Sequence, residues 1–247
     1  MVKPPVPISV DRFSFSVEEI EGHLRGAPPD ERFQKPLEPK IYRLSTGEPI
    51  IIRPASRDEA PAILETLRKL IDPKYDKDFY HLVAARTYSE ILAWYQSRQK
   101  DGYVIVGVRE DGELMGVVNH RFWDENVAVS LHTIVFRRAE RLGVVLYLSK
   151  IEHAFDVVGV NEWWATFESP FGFRLGFRFQ HVTKPWPQMQ HELGGARIYY
   201  ITREQWEKSV KPYAEEKGWM GERPVPQELL EKTKPLKPAS KIEVELR

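Results

Sequence analysis

The stretch VAVSLHTIVFRRAERLGVVL, residues 127–146, decides the fold. Its first half, residues 127–136, is rich in β-branched side chains and predicts a strand. Its second half opens a predicted helix, residues 142–158, whose apolar residues recur at helical spacing. A strand that leads directly into a helix leaves the first four N–H groups of that helix without intrahelical partners. Those donors and the helix dipole favour an anion, so we expect an anion-binding turn between the two elements.

The segments around this stretch predict a mixed α/β unit. Residues 103–108 and 114–118 flank the dipeptide Asp111-Gly112, which is a strong signal for a β-hairpin. Helical and strand patterns alternate elsewhere in the middle region, without a solenoid-type repeat. Together they predict a mixed sheet with helices on its faces. The remaining predicted elements are a strand at 48–54, helices at 57–71 and 79–97, and strands at 163–167 and 197–202.

Prolines crowd both ends of the chain. Proline lacks a backbone N–H and fixes φ, so neither end is expected to be continuous helix or central strand. We interpret the ends as extended arms that pack on the body through Phe13, Phe15 and Phe33, with a short helix at 17–24 capped by Ser16. Full disorder is the alternative. The predicted division is an N-terminal extension at 1–47, a central domain at 48–203 and a C-terminal extension at 204–247.

Composition narrows the classes of function. Lysine plus arginine equals aspartate plus glutamate at 36 each, so the formal net charge is +0 and no long-range field attracts a nucleic acid. The chain has no cysteine, which excludes disulfides and thiolate chemistry, and its histidines lack compact metal-ligand spacing. The amino-terminal residues do not resemble a signal peptide, and no apolar run approaches the roughly 18 residues of a membrane span. We therefore expect a cytoplasmic protein with no metal, nucleic-acid or membrane site.

Four short pieces of the sequence follow one another in a distinctive order. Residues 51–58 make a strand and a helix start, residues 116–118 end the hairpin, residues 132–144 join a strand to a helix, and residues 175–178 are LGFR. This order and spacing resemble the GNAT superfamily of N-acetyltransferases. In that family the third piece is the acyl-CoA pyrophosphate loop, and an LGF sequence commonly follows the fourth helix. The resemblance implies a central mixed, mostly antiparallel sheet flanked by helices, with terminal extensions.

The resemblance also implies a function, an acyl-CoA-dependent N-acyltransferase. Its co-substrate would be acetyl-CoA or another acyl-CoA, and its acceptor an unidentified amine. The acyl-CoA would insert between the strand ending at Phe136 and the strand starting near Glu162, where backbone groups of Ile134, Val135 and Phe136 pair with the pantetheine. N–H groups of the loop would hold the pyrophosphate. The loop residues implied in this binding are Arg138, Ala139, Glu140, Arg141, Leu142, Gly143 and Val144.

Two positions depart from the family pattern. The loop pattern is Arg or Gln, two residues, Gly, one residue, then Gly or Ala, and Arg141 replaces its first glycine. Arg141 either compensates by a charge-assisted hydrogen bond to phosphate or blocks the seat, and Glu140 adds a charge that repels the anion. Gly172 stands where the family's frequent acid, a tyrosine, would align. A catalytically inactive GNAT-fold binding or scaffold protein is therefore the alternative, and an edge-strand homodimer is compatible with either function.

Two side chains are candidates for removing a proton from the acceptor amine. His132 lies late in the strand before the loop and would act directly or through water; the alternative is a packed histidine bonded to backbone. Glu168 follows the next strand; the alternative is a solvated carboxylate at a strand end. Tyr199 and Tyr200 point to opposite faces of their strand, so at most one faces the site. His120, near the far side of the hairpin, is a candidate for lining an acceptor pocket.

Overall fold

The computed structural model describes Ser16 and residues 31–75, 80–99, 101–138, 141–167, 170, 172–174, 179, 182–183 and 198–244. The predicted helix at 17–24, together with Phe13 and Phe15, lies outside these residues. In the part of the chain that is described, no helix is long and apolar enough to cross a membrane.

One mixed sheet forms the centre of the molecule. Its strands are β1 (Lys40–Arg43), β2 (Pro49–Pro54), β3 (Gly102–Arg109), β4 (Leu114–Phe122), β5 (Val127–Val135), β6 (Glu162–Ala165), β7 (Val182–Thr183) and β8 (Tyr199–Thr202). Their order in the sheet is β1-β2-β3-β4-β5-β6-β8-β7. Neighbours are antiparallel except β5 and β6, which are parallel. The predicted fold class, a mostly antiparallel mixed sheet, is confirmed; strands β1 and β7 were not predicted.

Helices cover both faces of this sheet. They are α1 (Ala60–Leu70), α2 (Tyr80–Tyr95), α3 (Leu142–Glu152), α4 (Arg203–Gln205, continued by the π-helical Trp206–Val210 and by Lys211–Glu216) and α5 (Gln227–Lys232). A π-helical segment, His153–Val158, continues α3. The helices predicted at 57–71, 79–97 and 142–158 are present. The first begins with the 3₁₀ turn Arg57–Glu59 and ends at Leu70, and the second is α2. The third keeps its predicted bounds as α3 and its π-helical continuation.

The sheet separates two apolar cores. Helix α3 packs on one face, and α1 and α2 pack on the other. Because both faces are covered, β3 is buried along nearly its whole length and reads as a continuous apolar run instead of an alternating one. Gly116 on β4 lets α3 approach closely, since a Cβ at this position would stand 2.6 Å from a methyl group of Leu146. The close approach places the start of α3 beside the end of β5.

The carboxy-terminal segment, residues 233–244, runs back across the molecule to the turn that follows β5. The N–H of Glu243 donates to the carbonyl oxygen of Phe136 at 2.8 Å, and the Glu243 carbonyl accepts from the N–H of Arg138 at 2.9 Å. Leu236 and Val244 are buried in the core under α1 and α2. This arm is therefore extended and packed on the body, and it reaches the predicted anion-binding turn.

Two buried histidines, His120 and His153, lie within hydrogen-bonding distance of each other, and their partners determine which ring nitrogens carry the hydrogens. His153 Nε2 lies 2.7 Å from the carbonyl oxygen of Lys35, and His153 Nδ1 lies 2.9 Å from His120 Nε2. A carbonyl only accepts, so His153 carries its hydrogen on Nε2 and accepts one from His120. The Tyr103 ring stacks on His153 with centroids 3.6 Å apart. His120 is fully buried, so the expectation that it lines an acceptor pocket is wrong.

These buried histidines make the fold sensitive to acid. Burial lowers the pKa of His153 from 6.5 to about 4, and burial also lowers the pKa of His120 well below its usual value. The unfolded chain therefore takes up protons near pH 6.5 that the folded chain does not accept until about pH 4. We expect the free energy of unfolding to fall as the pH drops through this window, by about 3 kcal/mol from His153 alone. Urea unfolding between pH 7.5 and 4.5 measures this dependence.

The variant His153→Gln provides the comparison. It keeps hydrogen-bonding atoms at this position but removes the titrating ring, so its stability should depend less steeply on pH between 6.5 and 4.5. An unchanged slope in His153→Gln would show that other groups cause the acid sensitivity.

Candidate functional site

A β-bulge interrupts β5 near its middle. Between two of its pairings with β4, strand β5 contains one residue more than β4, so Leu131 and His132 both lie opposite Asn119. The N–H of His132 donates to the side-chain oxygen of Asn119 at 3.0 Å. The bulge therefore brings His132 to the face covered by α2 and holds its backbone by a side-chain hydrogen bond.

Strands β5 and β6 part just before this bulge. They pair only from Val127 to Val129 on β5, against Glu162 to Trp164 on β6. Beyond Val129 the outer edge of β5 does not pair with β6. Since the N–H of Phe136 donates to β4 at 2.9 Å, alternation along the strand directs the backbone groups of Val135 outward. The two strands thus part close to the residues for which the sequence predicts pantetheine binding.

A polar network occupies the bulge on the α2 face. Glu90, on α2, has one carboxylate oxygen 3.1 Å from His132 Nε2, and its other oxygen accepts a hydrogen bond of 2.5 Å from the Asn119 side-chain amide. The His132 and Glu90 side chains are 4% and 11% exposed, which limits competition from water. Because Asn119 contacts both the Glu90 carboxylate and the His132 backbone, the three residues form one connected unit. A carboxylate beside an imidazole orients the ring.

Lys150 approaches the same bulge from the α3 face. Its ammonium nitrogen lies 3.0 Å from the carbonyl oxygen of His132 and 3.4 Å from that of Asn119. The Tyr147 and Trp163 rings lie beneath it, with centroids 5.3 and 5.8 Å away. The residue is fully buried. Burial lowers the pKa of Lys150 to about 7, and the nearby Glu90 carboxylate opposes that shift.

The turn after β5 leads into α3 through an unusual backbone conformation. Arg141 has φ 57° and ψ 4°, the left-handed region that glycine adopts most readily. The N–H groups of Val144 and Val145 donate to the Arg141 carbonyl, so the N–H groups of Leu142 and Gly143 precede the first intrahelical bonds. Arg141 thus replaces the first glycine of the family pattern without changing the left-handed conformation that a glycine would favour.

The protein's own side chains and carboxy-terminal arm occupy part of the region for which the sequence predicts acyl-CoA binding, residues 134–144. Besides the Arg138 N–H bonded to Glu243, the Tyr80 hydroxyl donates to the Val135 carbonyl at 3.0 Å. The Arg138 guanidinium lies over the Tyr80 ring, 4.2 Å from its centroid. Ile134 lies opposite Val117 inside the sheet, which directs its backbone groups to β4. Among the described residues of this region, these contacts leave the outward-facing edge of β5 and the start of α3 as backbone donors.

Glu168, Ala139 and Glu140 lie outside the described residues, so their roles stay predictions. Tyr199 packs against Phe167, with ring centroids 5.4 Å apart. The described part of the chain contains no cluster of acidic and histidine side chains that could hold a metal ion.

Sequence reasoning missed Glu90, Asn119 and Lys150. Lys150 could have been recognised from its place in a helix that is apolar on all sides. Such a helix is buried, so the charge of a lysine within it needs a hydrogen-bonding partner in the protein. Glu90 lies seven residues after Val83 and one before the buried Ile91, so helical spacing places it toward the sheet. Asn119 gave no local signal, because its role depends on the register shift in β5.

The conformation of Arg141 predicts a stability difference. A residue with a Cβ in the left-handed region is strained by roughly 1–2 kcal/mol, and glycine is not. We expect Arg141→Gly to be more stable than Arg141→Ala by about 1 kcal/mol, because only glycine relieves the backbone. Chemical denaturation of both variants measures this difference. Equal stabilities would mean that the backbone at this position is not strained.

Comparison with known proteins agrees with this architecture. No protein-family model matches the sequence, and no curated protein matches it. Among solved structures, RimJ from Mycobacterium smegmatis in complex with CoA-disulfide is 14% identical, with a TM-score of 0.51 over 73% of this chain and 94% of that chain. A GCN5-related N-acetyltransferase from Brucella melitensis is 13% identical, with a TM-score of 0.51 over 84% of this chain and 96% of that chain. Identities this low establish the fold and nothing finer: the chain has the GNAT fold, in a divergent form.

Proposed function

We propose that this protein is an acyl-CoA-dependent N-acyltransferase that uses acetyl-CoA to acetylate an amine. The observation that carries the proposal is the pairing of His132 with Glu90, 3.1 Å apart, at the bulge where β5 and β6 part. A base is needed where an amine meets a thioester, and this cluster places a carboxylate-supported imidazole at the edge of the cleft. Burial of two polar side chains carries a desolvation cost, and a chemical role would account for it.

The residues present fit a diphosphate and a pantetheine arm. The start of α3 offers the N–H groups of Leu142 and Gly143, and a helix start of this kind favours a bound anion. The outward edge of β5 offers the backbone of Val135, although the Tyr80 hydroxyl must release its carbonyl for a ligand to pair there. Acyl-CoA would supply the activated acyl group; the chain would supply these donors.

In the proposed reaction the amine nitrogen attacks the thioester carbonyl carbon. His132 takes the proton that the amine loses, and Glu90 stabilises the resulting imidazolium. Asn119 holds Glu90 and the His132 backbone in register. The carbon–sulfur bond breaks, an amide forms, and the electron pair leaves on sulfur. Glu168 remains a second candidate for the base.

Binding of acyl-CoA is the first expectation. At a hundredfold excess over the dissociation constant, acetyl-CoA should stabilise the chain by about 2.7 kcal/mol, raising Tm by roughly 5–10 °C. Gly143→Glu should abolish the shift by crowding and repelling phosphate. Gly143→Ala is the matched control: its Cβ would lie an ordinary 3.6 Å from a Val135 methyl group, so binding should persist. Thermal unfolding with and without acetyl-CoA distinguishes these outcomes.

Loss of the base is the second expectation. His132→Ala and Glu90→Gln should each lower kcat by about 100-fold while leaving KM for acetyl-CoA nearly unchanged, because general-base catalysis contributes in that range. Steady-state assays against a panel of amines measure both constants. Thr87→Val is the matched control, since this buried α2 hydroxyl bonds only to the Val83 carbonyl one turn earlier. Unchanged kcat in both cluster variants would contradict the assigned role.

A binding or scaffold protein without catalysis is the second candidate. The observation that favours it is the capping of the cofactor region by the chain: the N–H of Arg138 by Glu243, the N–H of His132 by Asn119, and the Val135 carbonyl by Tyr80. Absence of any thermal shift with acetyl-CoA and with longer acyl-CoAs would support this candidate. Sedimentation would then test whether a second copy of the chain is the partner.

A further inference from the structure

The Lys150 ammonium lies at the apex of the gap between β5 and β6. Its nitrogen contacts the His132 carbonyl on β5 at 3.0 Å and lies 5.8 Å from the ring centroid of Trp163 on β6. Trp163 belongs to the last stretch in which the two strands pair, and His132 lies just beyond it. A thioester inserted between the strands, as the proposed function requires, would end beside this nitrogen.

Burying this charge costs stability, which two hydrogen bonds to backbone carbonyls at the bulge partly offset. A lysine that is 0% exposed loses its hydration, and its direct partners are two backbone carbonyls and two aromatic rings. A methionine would fill the same volume within the apolar core under α3. A methionine would leave the two bulge carbonyls without this donor, which is one reason for a lysine here, and chemistry at the apex would be a second.

The proposed reaction lacks a proton donor for the departing thiolate. The tyrosine that is frequent in the family aligns with Gly172, which has no side chain. Among the described residues around the bulge, Glu90 and His132 are already assigned to the amine, on the opposite face of the sheet. Lys150 is the cationic donor on the remaining side.

We propose that Lys150 is the general acid that protonates the departing thiolate, an inference that rests on the proposed acyltransferase function. As the amine nitrogen bonds to the acyl carbon, the carbon–sulfur bond breaks and its electron pair goes to sulfur. A proton then passes from Lys150 Nζ to sulfur, giving free CoA thiol and a neutral Lys150 amine. Water reprotonates that amine once the thiol leaves the cleft.

If Lys150 acts as the acid, kcat should depend on the protonation of its ammonium group. Among the described residues, the titratable groups that interact with Lys150 are Glu90 from α2, His120 on β4 and Tyr147 on α3, whereas His132 contacts it only through its backbone carbonyl. Burial holds the pKa of Lys150 at about 7. Because only the protonated amine can act as an acid, kcat should decline as the pH rises above about 7, and removal of Lys150 should remove that alkaline limb.

The experiment compares two acyl donors in the full-length chain. Lys150→Met should lower kcat with acetyl-CoA by about 100-fold, the usual contribution of a general acid. With an aryl thioacetate, whose thiol is a far stronger acid and leaves without protonation, the same variant should react at close to the rate of the unaltered chain. Lys150→Arg keeps a cation that cannot donate its proton, so it should behave like Lys150→Met.

Ser149→Ala is the matched control, since this buried neighbour bonds only to the Val145 carbonyl and should retain full activity. Equal losses with both donors, or an alkaline limb that persists in Lys150→Met, would overturn the acid role and leave Lys150 as a structural residue. Failure of the proposed function is a different result: the unaltered chain would show neither turnover nor stabilisation by acetyl-CoA, and the acid role would fall with it.

Discussion

The extra residue in β5 is the constraint on which the rest of the site depends. With a regular register, side chains two residues apart share a face, so His132 would lie on the same face as Ala128, which belongs to the core under α3. The bulge places it instead on the α2 face, with Ile134. The bulge also frees the His132 and Asn119 carbonyls, which then need donors. The Lys150 ammonium donates to both carbonyls from the α3 face, and the side-chain oxygen of Asn119 accepts a hydrogen bond from the His132 N–H. The position of the His132 side chain and the hydrogen bonds around it therefore both follow from the extra residue in β5.

Opposite charges lie on the two faces of the sheet at the bulge in β5. Glu90 lies on the α2 face and Lys150 on the α3 face, and the two interact electrostatically through the bulge. A buried ammonium and a nearly buried carboxylate are each unfavourable alone, and their mutual attraction reduces that cost. The arrangement provides one group suited to accept a proton and another suited to donate one, on opposite sides of a single strand.

The terminal segments contribute to this site as well as to stability. Residues 233–244 reach from the far side of the α1 and α2 layer to the turn after β5, where Glu243 bonds to Phe136 and Arg138. This contact holds the entrance to α3 in place. It also satisfies the N–H of Arg138, which belongs to the loop for which the sequence predicts pyrophosphate binding.

The sequence by itself determined the order of the central elements between residues 48 and 158, the hairpin at Asp111-Gly112 and the strand-to-helix turn, because periodicity and turn chemistry are local properties of the chain. It also placed His132 in the strand that precedes this turn. Only the tertiary structure decided that Glu90, Asn119 and Lys150 surround it, since residues 90, 119, 132 and 150 are brought together by strand register and helix packing. It likewise removed His120 from the surface and extended the sheet with β1 and β7. Contacts between residues that are far apart in the chain leave no local pattern in the sequence. The side chains that surround His132 could therefore be identified only from the tertiary structure.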